Sequence, residues 1–416
     1  MHWMPSLWCL AVLATGFAAE AQDEPTPEPP LEPRPERLYL NSGVLMGSTR
    51  MVAMGGAFAG IAEGTAGFAG NLAALAHRAP GLERDWDVGV TFSLLDVPLS
   101  NRRRQDLDND GLADEAPRSR QYLLGLLLQY KKFGLGTFLR TRTVSYCATP
   151  ECRSQDYIQV SVTHSALAGA LAFGQDDFIV SLGLYAGQAT LSQGKEDWRY
   201  GGTGLSLDML FRPHGRPYRI GIAVRPEVVG NWQRAEGQQP VLGGRPIYSG
   251  VVSPAVLSLG ASRRFGEGAE RYNRLAPSAR RQLLEDGELN VPPEEPLDVP
   301  TGTLLVSGQV DFISSVERGV ALRSVASFDA QPENVGSALL IQPRVGAEHD
   351  TWPGRVRTRL GLFVEPSPFE GQSPRPHLTG GFEVFLFRYW QDWSFSSSFD
   401  LARRYTNIGL SIGFWR

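Results

Sequence analysis

Few places in this 416-residue chain hold side chains that could do chemistry. In DLDNDGLAD, Asp106, Asp108 and Asp110 stand at alternate positions before Gly111, with Asp114 following. Carboxylates closing on a glycine turn are the opening of a calcium loop, where hard oxygens converge on a hard cation. The twelfth position is Pro117, where a full loop would supply a bidentate glutamate. The pattern therefore predicts a possible partial Ca2+ site; its alternative is a solvated acidic tip neutralised by Arg102, Arg103 and Arg104. Cys147 and Cys152 form a C-x4-C pair with no second cysteine pair and no neighbouring histidine, which predicts a loop disulfide and not a zinc or redox centre. His164 and Ser165 are adjacent in sequence. Adjacent strand residues point to opposite faces, so they cannot share a catalytic site, and no other histidine stands in a motif with a nucleophile. The expectation is that the protein is not an enzyme.

What positions these residues follows from composition and periodicity. The chain has 40 Lys plus Arg against 44 Asp plus Glu, which excludes nucleic-acid binding through bulk charge. With 46 Gly and 29 Pro it favours many strands punctuated by turns. At the N-terminus an apolar run, Leu7 to Ala14, is too short to span a bilayer and is followed by Ala19-Glu20-Ala21. This predicts a signal peptide over 1–21, and DEPTPEPPLEPRPER then reads as a proline-rich acidic tether over 22–36.

The rest repeats one pattern. Ile408, Leu410, Ile412 and Phe414 alternate with Asn407, Gly409, Ser411 and Gly413, and Tyr218, Ile220, Ile222 and Val224 alternate with Arg219, Gly221 and Arg225. Such a strand is oily on one face only. In a soluble sandwich the oily face is the core, whereas in an outer-membrane barrel it meets lipid and the polar face lines the lumen. Stretches such as 86–97, 157–173 and 177–191 exceed the usual soluble strand and suit the about 9–11 residues of a tilted bilayer crossing. Short connections at 131–134 and 174–177 alternate with longer ones at 98–119, 145–156, 192–199 and 230–252. Aromatics near strand ends (Tyr130, Trp198, Tyr200, Trp232, Tyr248, Trp352, Trp390, Trp393, Trp415) are expected to form interfacial girdles. Register follows from cost: an arginine facing lipid at mid-bilayer costs about 2–4 kcal/mol. Arg140, Arg142, Arg219, Arg225, Arg264, Arg323, Arg344 and Arg359 are therefore expected to line the lumen. The fold class is all-β, a transmembrane antiparallel barrel in contact with membrane lipids.

The final Phe414-Trp415-Arg416 resembles the C-terminal assembly signal of bacterial outer-membrane proteins, which implies the barrel assembly machinery as a partner and the outer membrane of a Gram-negative bacterium as location. GSTRMVAMGGAFAGIAEGTAGFAGNLAALAHR, Gly47 to Arg78, is similar to the N-terminal region of FadL-like long-chain fatty acid transporters and PorV-like barrels. Gly55, Gly56 and Phe58 match its glycine-alanine opening, Glu63 its acidic pair, and Asn71, with Ala73 and Leu75, its Asn-Pro-Ala motif without the proline. The resemblance implies a hatch or plug over 37–85 inside a barrel of about 14 strands over 86–416. The alternating stretches come to an odd number, so one is surplus or one is hidden, most plausibly between 230 and 300, where 267–300 reads as a polar insertion with Ser278 capping a short helix. Two functions stay open. A FadL-like barrel takes up hydrophobic or amphipathic small molecules, with Arg219, Arg225 and Arg359 attracting a carboxylate head. A PorV-like barrel is a structural or secretion-associated scaffold, and Asp208, Asp311, Asp329, Glu348 and Glu365 then simply pair with the arginines.

Overall fold

The computed structural model describes residues 33–41, 43–78, 85–96, 105–112, 118–147, 157–174, 176–232, 241–242, 245–273, 302–325 and 332–414. The signal peptide at 1–21, most of the 22–36 tether, Arg102 to Arg104, Asp114, the Cys147–Cys152 bridge, Ser278, Asp329 and Trp415-Arg416 lie outside what is described.

In chain order the strands begin with β1 (Arg34–Tyr39), β2 (Trp86–Leu95), β3 (Arg118–Tyr130), β4 (Phe133–Cys147), β5 (Tyr157–Phe173), β6 (Phe178–Gln193) and β7 (Glu196–Phe211). They continue with β8 (Tyr218–Arg225), β9 (Val228–Trp232), β10 (Val241–Leu242), β11 (Arg245–Pro246), β12 (Tyr248–Ser253), β13 (Val256–Phe265) and β14 (Leu304–Ile313). The last are β15 (Gly319–Val320), β16 (Leu340–Trp352), β17 (Val356–Glu365), β18 (Arg375–Arg388), β19 (Asp392–Ala402) and β20 (Tyr405–Phe414). β2 to β8, β13, β14 and β16 to β20 form a closed antiparallel barrel of 14 strands. β20 returns onto β2, from Val90 opposite Phe414 to Leu95 opposite Gly409, and leaves no edge.

The parity problem has a local cause. Residues 318–325, whose alternation makes a surplus strand candidate, are the two-residue β15 followed by a 3-10 turn over Leu322–Val325 and sit in the β14–β16 connection. No wall strand is hidden among the described residues of 230–300. There β9 and β12 pair with each other and carry the β8–β13 hairpin beyond the wall, after breaks at Pro226 and Pro254, which cannot donate to a ladder. Strand direction places the described ends of the β13–β14 connection, 266–273 and 302–303, at the rim of the short turns, with 131–132 and 212–217. The 192–199 stretch is no long loop either, since β6 and β7 stay paired to Gln193 and Glu196.

The wall is inside-out. Along β8, Ile220 is 48% exposed and Arg219 is fully buried, and exposed and buried residues alternate from Tyr218 to Arg225. An exposed apolar face this extensive is the lipid surface of a membrane-spanning barrel. Exposed aromatics at strand ends, Trp86, Tyr130, Phe133, Phe173, Phe211, Tyr218, Phe265 and Trp352, collect at the short-turn rim as an interfacial girdle.

Toward the other rim the alternation changes sign. β5, β6 and β7 run 17, 16 and 16 residues, longer than the about 9–11 needed to cross. In their upper parts the outward residues are polar (Gln159, Ser161, Gln188, Thr190, Arg199) and the buried ones are apolar (Ile158, Val160, Leu191, Trp198, Tyr200). Outside the bilayer the outer face meets water, so the oily residues turn inward.

Candidate functional site in the lumen

The segment from Arg34 to Arg78 passes from one rim of the barrel to the other. It starts as β1, paired in parallel with β12 and β15 at the long-connection rim. Ser48 then caps a short helix over Thr49–Ala53 by accepting from the Met51 N–H at 3.1 Å, and this helix packs on β17, β18 and β19. After Gly64–Gly67, a 3-10 turn over Leu72–Ala76 packs on β3 to β7. Arg212 from the end of β7 then donates to the Arg78 carbonyl at 3.3 Å, at the short-turn rim.

Small residues permit this fit from both sides. Gly55 has φ +61°, and its N–H donates to Thr379 Oγ1 at 3.0 Å. On the wall, Gly221 faces the Ala59 carbonyl so closely that a Cβ there would overlap the oxygen. Replacing Gly221 by Val is expected to destabilise the folded barrel by about 1–3 kcal/mol, because backbone and not a movable side chain fills the space. The check is the temperature at which the folded gel band converts to the unfolded one. The sequence showed wall glycines only as part of a polar face; their role as the footprint of a second backbone was not visible in it.

The residues picked out in Gly47 to Arg78 all make defined contacts. Gly56 also has positive φ, +75°, and lies against Arg344. The Phe58 and Ala59 N–H groups both donate to Gln309 Oε1, at 2.9 and 2.8 Å. Asn71 caps the 3-10 turn through the Ala73 N–H at 2.9 Å, and its amide donates to the Ala59 carbonyl at 2.8 Å and the Met209 carbonyl at 3.1 Å. Phe58, Phe68, Leu72 and Leu75 fill an apolar core with Leu123, Leu127 and Phe138 of the wall.

Charge ties this segment to the wall. Arg50 Nε and Nη2 donate to both oxygens of Glu348 at 2.8 Å, and Nη2 also reaches Glu63 at 2.9 Å. Arg359 donates to Glu348 at 2.6 Å and also pairs with Glu383. Arg219 donates to Glu63 at 2.7 Å, to the Ile61 carbonyl at 2.9 Å and to Asn273 Oδ1 at 2.7 Å, with the Tyr272 ring 3.6 Å from its guanidinium. The buried Glu63 carboxylate is thus held between two guanidinium groups, Arg50 and Arg219, which offset the cost of its burial. Tyr272 and Asn273, at the start of the β13–β14 insertion, were not foreseen, since nothing in AERYNR marks a residue that returns to the lumen.

The other lumen arginines are also engaged. Arg225 pairs with Asp208 at 2.5 Å and Arg344 with Asp311 at 2.5 Å. Arg140 donates to the Met46 carbonyl and Tyr185 hydroxyl, both at 3.2 Å, and Arg142 to the Leu107 carbonyl at 2.9 Å. Arg264 donates to Thr303 at 2.8 Å. Arg219, Arg225 and Arg359 are thus satisfied by carboxylates of the protein, which leaves them poorly suited to hold a carboxylate head. Glu365 likewise pairs with Arg375 at 2.7 Å and with His377 at 2.8 Å. Arg323 is not a wall residue; it stands on the Leu322–Val325 turn and pairs with Asp110 and Glu333.

The acidic loop has a different use from the one expected. The Asp106, Asp108 and Asp110 carboxylates do lie within 4.8 Å of one another. Asp106 accepts the N–H groups of Asn109 at 2.7 Å and Gly111 at 3.0 Å, while Arg375 lies 3.6 Å from Asp106 and Arg323 3.9 Å from Asp108. Burial outweighs Arg375 and these bonds and raises the Asp106 carboxyl above its usual range. Two guanidinium groups already supply the charge Ca2+ would, so these residues do not fit a resident ion. Among the described residues the arginines that meet these carboxylates come from distant connections, and Asp106 and Asp110 are buried.

At the long-connection rim lies an apolar cluster of buried side chains. Ile158, Val160, Val162, Leu191, Trp198 and Tyr200 of β5 to β7 face Tyr248 and Val251 of β12, with Leu38 and Leu40 between them. Trp198 donates to the Val241 carbonyl at 2.9 Å and Tyr200 to the Tyr248 carbonyl at 3.2 Å. Trp198, Tyr200 and Tyr248, expected in a girdle, are buried here instead, because the strands that carry them have left the bilayer. His164 is buried and stacks on Tyr185, 5.8 Å between ring centres, while Ser165 lies on the opposite strand face.

No family model matches the chain, and no curated protein matches it. Solved structures do. A Pseudomonas aeruginosa FadL homologue superposes with TM-score 0.51 at 10% identity, over 89% of this chain and 98% of that one. The TodX deltaS2S3 mutant, a monoaromatic hydrocarbon channel, gives 0.51 at 11% identity, over 89% and 99%. The Pseudomonas putida toluene transporter TodX gives 0.49 at 11%, over 92% and 99%. The shared feature is the fold: a FadL-like barrel of 14 strands.

Proposed function

We propose that this protein is a barrel of the Gram-negative outer membrane that admits neutral hydrophobic compounds, with the segment around Gly55–Ala76 as its plug. The observation that carries the reading is the apolar cluster at the long-connection rim, set above a lumen whose named arginines are engaged by the protein's own groups. Ile158, Val160 and Trp198 offer apolar surface to an apolar compound, and the lower lumen offers no surplus cation among these arginines for an acid. The structures that share the fold include a protein described as a monoaromatic hydrocarbon channel, which agrees in cargo class. Nothing among the described residues favours the scaffold reading.

The test uses whole cells of a host with an intact outer membrane and the neutral dye 1-N-phenylnaphthylamine, which fluoresces on reaching apolar surroundings. Cells making the protein should take up the dye several-fold faster than vector controls. A matched long-chain carboxylate should gain much less. Equal dye uptake with and without the protein would sink the transport reading.

A further inference from the structure

The outer face of β3 to β7 changes character along its height without a break in the sheet. Register joins one outward residue from each strand into a row: Arg120 opposite Thr143, Thr143 opposite Ser161, Ser161 opposite Thr190, and Thr190 opposite Arg199. The row above holds Ser145, Gln159, Ser192 and Asp197, and the row below Tyr122, Thr141, Thr163 and Gln188. Two rows further down, the same face is Leu126, Thr137, Leu167, Leu184 and Leu205. Arg120 stands ten residues above Tyr130 of the short-turn girdle, and Arg199 twelve above Phe211. At about 3.3 Å per residue and a tilt of about 40°, the arginine row lies about 25–30 Å above that girdle, and the apolar band of such barrels is about 25 Å tall. The row therefore falls at the headgroups of the outer leaflet. Its arginines differ from those of the lumen, which the chain itself engages: Arg120 and Arg199 are exposed, and among the described residues neither has an ion-pair or hydrogen-bond partner. Between them the Thr143 and Ser161 hydroxyls bond each other at 2.9 Å, as do Thr141 and Thr163 below, and each pair leaves one O–H over to donate.

We propose that this face of β3 to β7 docks the headgroup of a phosphorylated glycolipid of the outer leaflet, with Arg120 and Arg199 meeting phosphate and the Ser, Thr and Gln rows meeting sugar hydroxyls. Continuity with the wall selects a lipid, because a molecule standing on these rows has its acyl chains against Leu126, Leu167, Leu184 and Leu205. Chemistry selects a glycolipid over a phospholipid. Four strand spacings set the two arginines about 19 Å apart, with hydroxyls and amides between them. A broad sugar headgroup phosphorylated on both sides fills that span, whereas a phospholipid brings a single phosphate. Asp197 is the one acid among these residues and stands in the row above, farther from the acyl chains.

The test takes the purified protein in a mild detergent, free of lipid, and follows the temperature at which the folded gel band converts to the unfolded one. Adding purified lipopolysaccharide should raise that temperature by several degrees, while phosphatidylglycerol and inorganic phosphate at equal phosphate concentration should not. Arg120→Glu with Arg199→Glu should need at least about tenfold more lipopolysaccharide for half the effect. Arg263→Glu, which changes an exposed arginine beside Phe265 at the short-turn rim, should respond as the unaltered protein does. Where the two glutamates impede assembly, Arg120→Gln with Arg199→Gln removes the charge without adding repulsion and should show the same loss. No rise with lipopolysaccharide, or an undiminished response in the double variants, overturns the proposal. An equal rise with phosphatidylglycerol would mean that any anionic lipid suffices and would overturn the glycolipid assignment, and protection by phosphate alone would overturn the lipid.

Discussion

Replacing residues 55–76 by a short glycine-serine linker should convert a nearly non-conducting barrel into an open one. The wall does not depend on this segment for its backbone bonds, since each wall strand pairs with its neighbours and β20 closes on β2. What the segment supplies is bulk: Phe58, Phe68, Leu72 and Leu75 fill the space between facing walls. Glu63 is the only charged residue removed, and it faces Arg50 and Arg219. The opened pore should therefore favour anions. Planar-bilayer recordings check both expectations, and a folded variant with wild-type conductance would show that the segment does not occlude the lumen.

Changing Glu348 to Ala should be the most damaging single substitution in the lumen. It leaves Arg359 with Glu383 alone and Arg50 with Glu63 alone, so one carboxylate that had bonded two buried guanidinium groups is gone. Removing one partner of a buried ion pair costs about 3–5 kcal/mol, because the remaining charge stays out of water. The gel-shift temperature should fall steeply. Glu348→Gln keeps the shape and part of the hydrogen bonding and should fall less. The distinguishing readout is release of the segment from the wall: if Arg50 tethers it and it occludes the lumen as proposed, bilayer recordings of Glu348→Ala should show frequent openings, whereas general loss of barrel stability would reduce the folded fraction without changing single-channel behaviour.

Strand alternation made the wall legible, because lipid and a polar lumen impose a two-residue period that Tyr218 to Arg225 obeys without exception. The segment Gly47 to Arg78 was marked by its small residues, which stand where its backbone approaches the wall. Three features were not. Trp198 and Tyr200 looked like girdle aromatics because periodicity cannot say where a strand leaves the bilayer, and there the meaning of an inward residue reverses. Arg323 matched the wall pattern, yet the β14–β16 connection holds it against Asp110 and Glu333, a choice fixed by contacts between connections distant in sequence. The carboxylates at 106, 108 and 110 had calcium-loop spacing. What neutralises them, Arg375 and Arg323, lies more than two hundred residues away in the chain and leaves no local signature.

The rim-to-rim course of Arg34 to Arg78 also constrains the history of the molecule. This stretch is synthesised before any wall strand, and the seam that closes the hoop joins β20, the last strand made, to β2, the first. Threading a finished hoop would drag Arg50, Glu63 and Phe58 past an already packed interior, stripping water from each charge before its partner was in reach. Wrapping avoids this. Successive hairpins can be laid around the early segment, each meeting its contacts as it arrives, so that zipping the seam is the final event and locks in a core that was never built from outside.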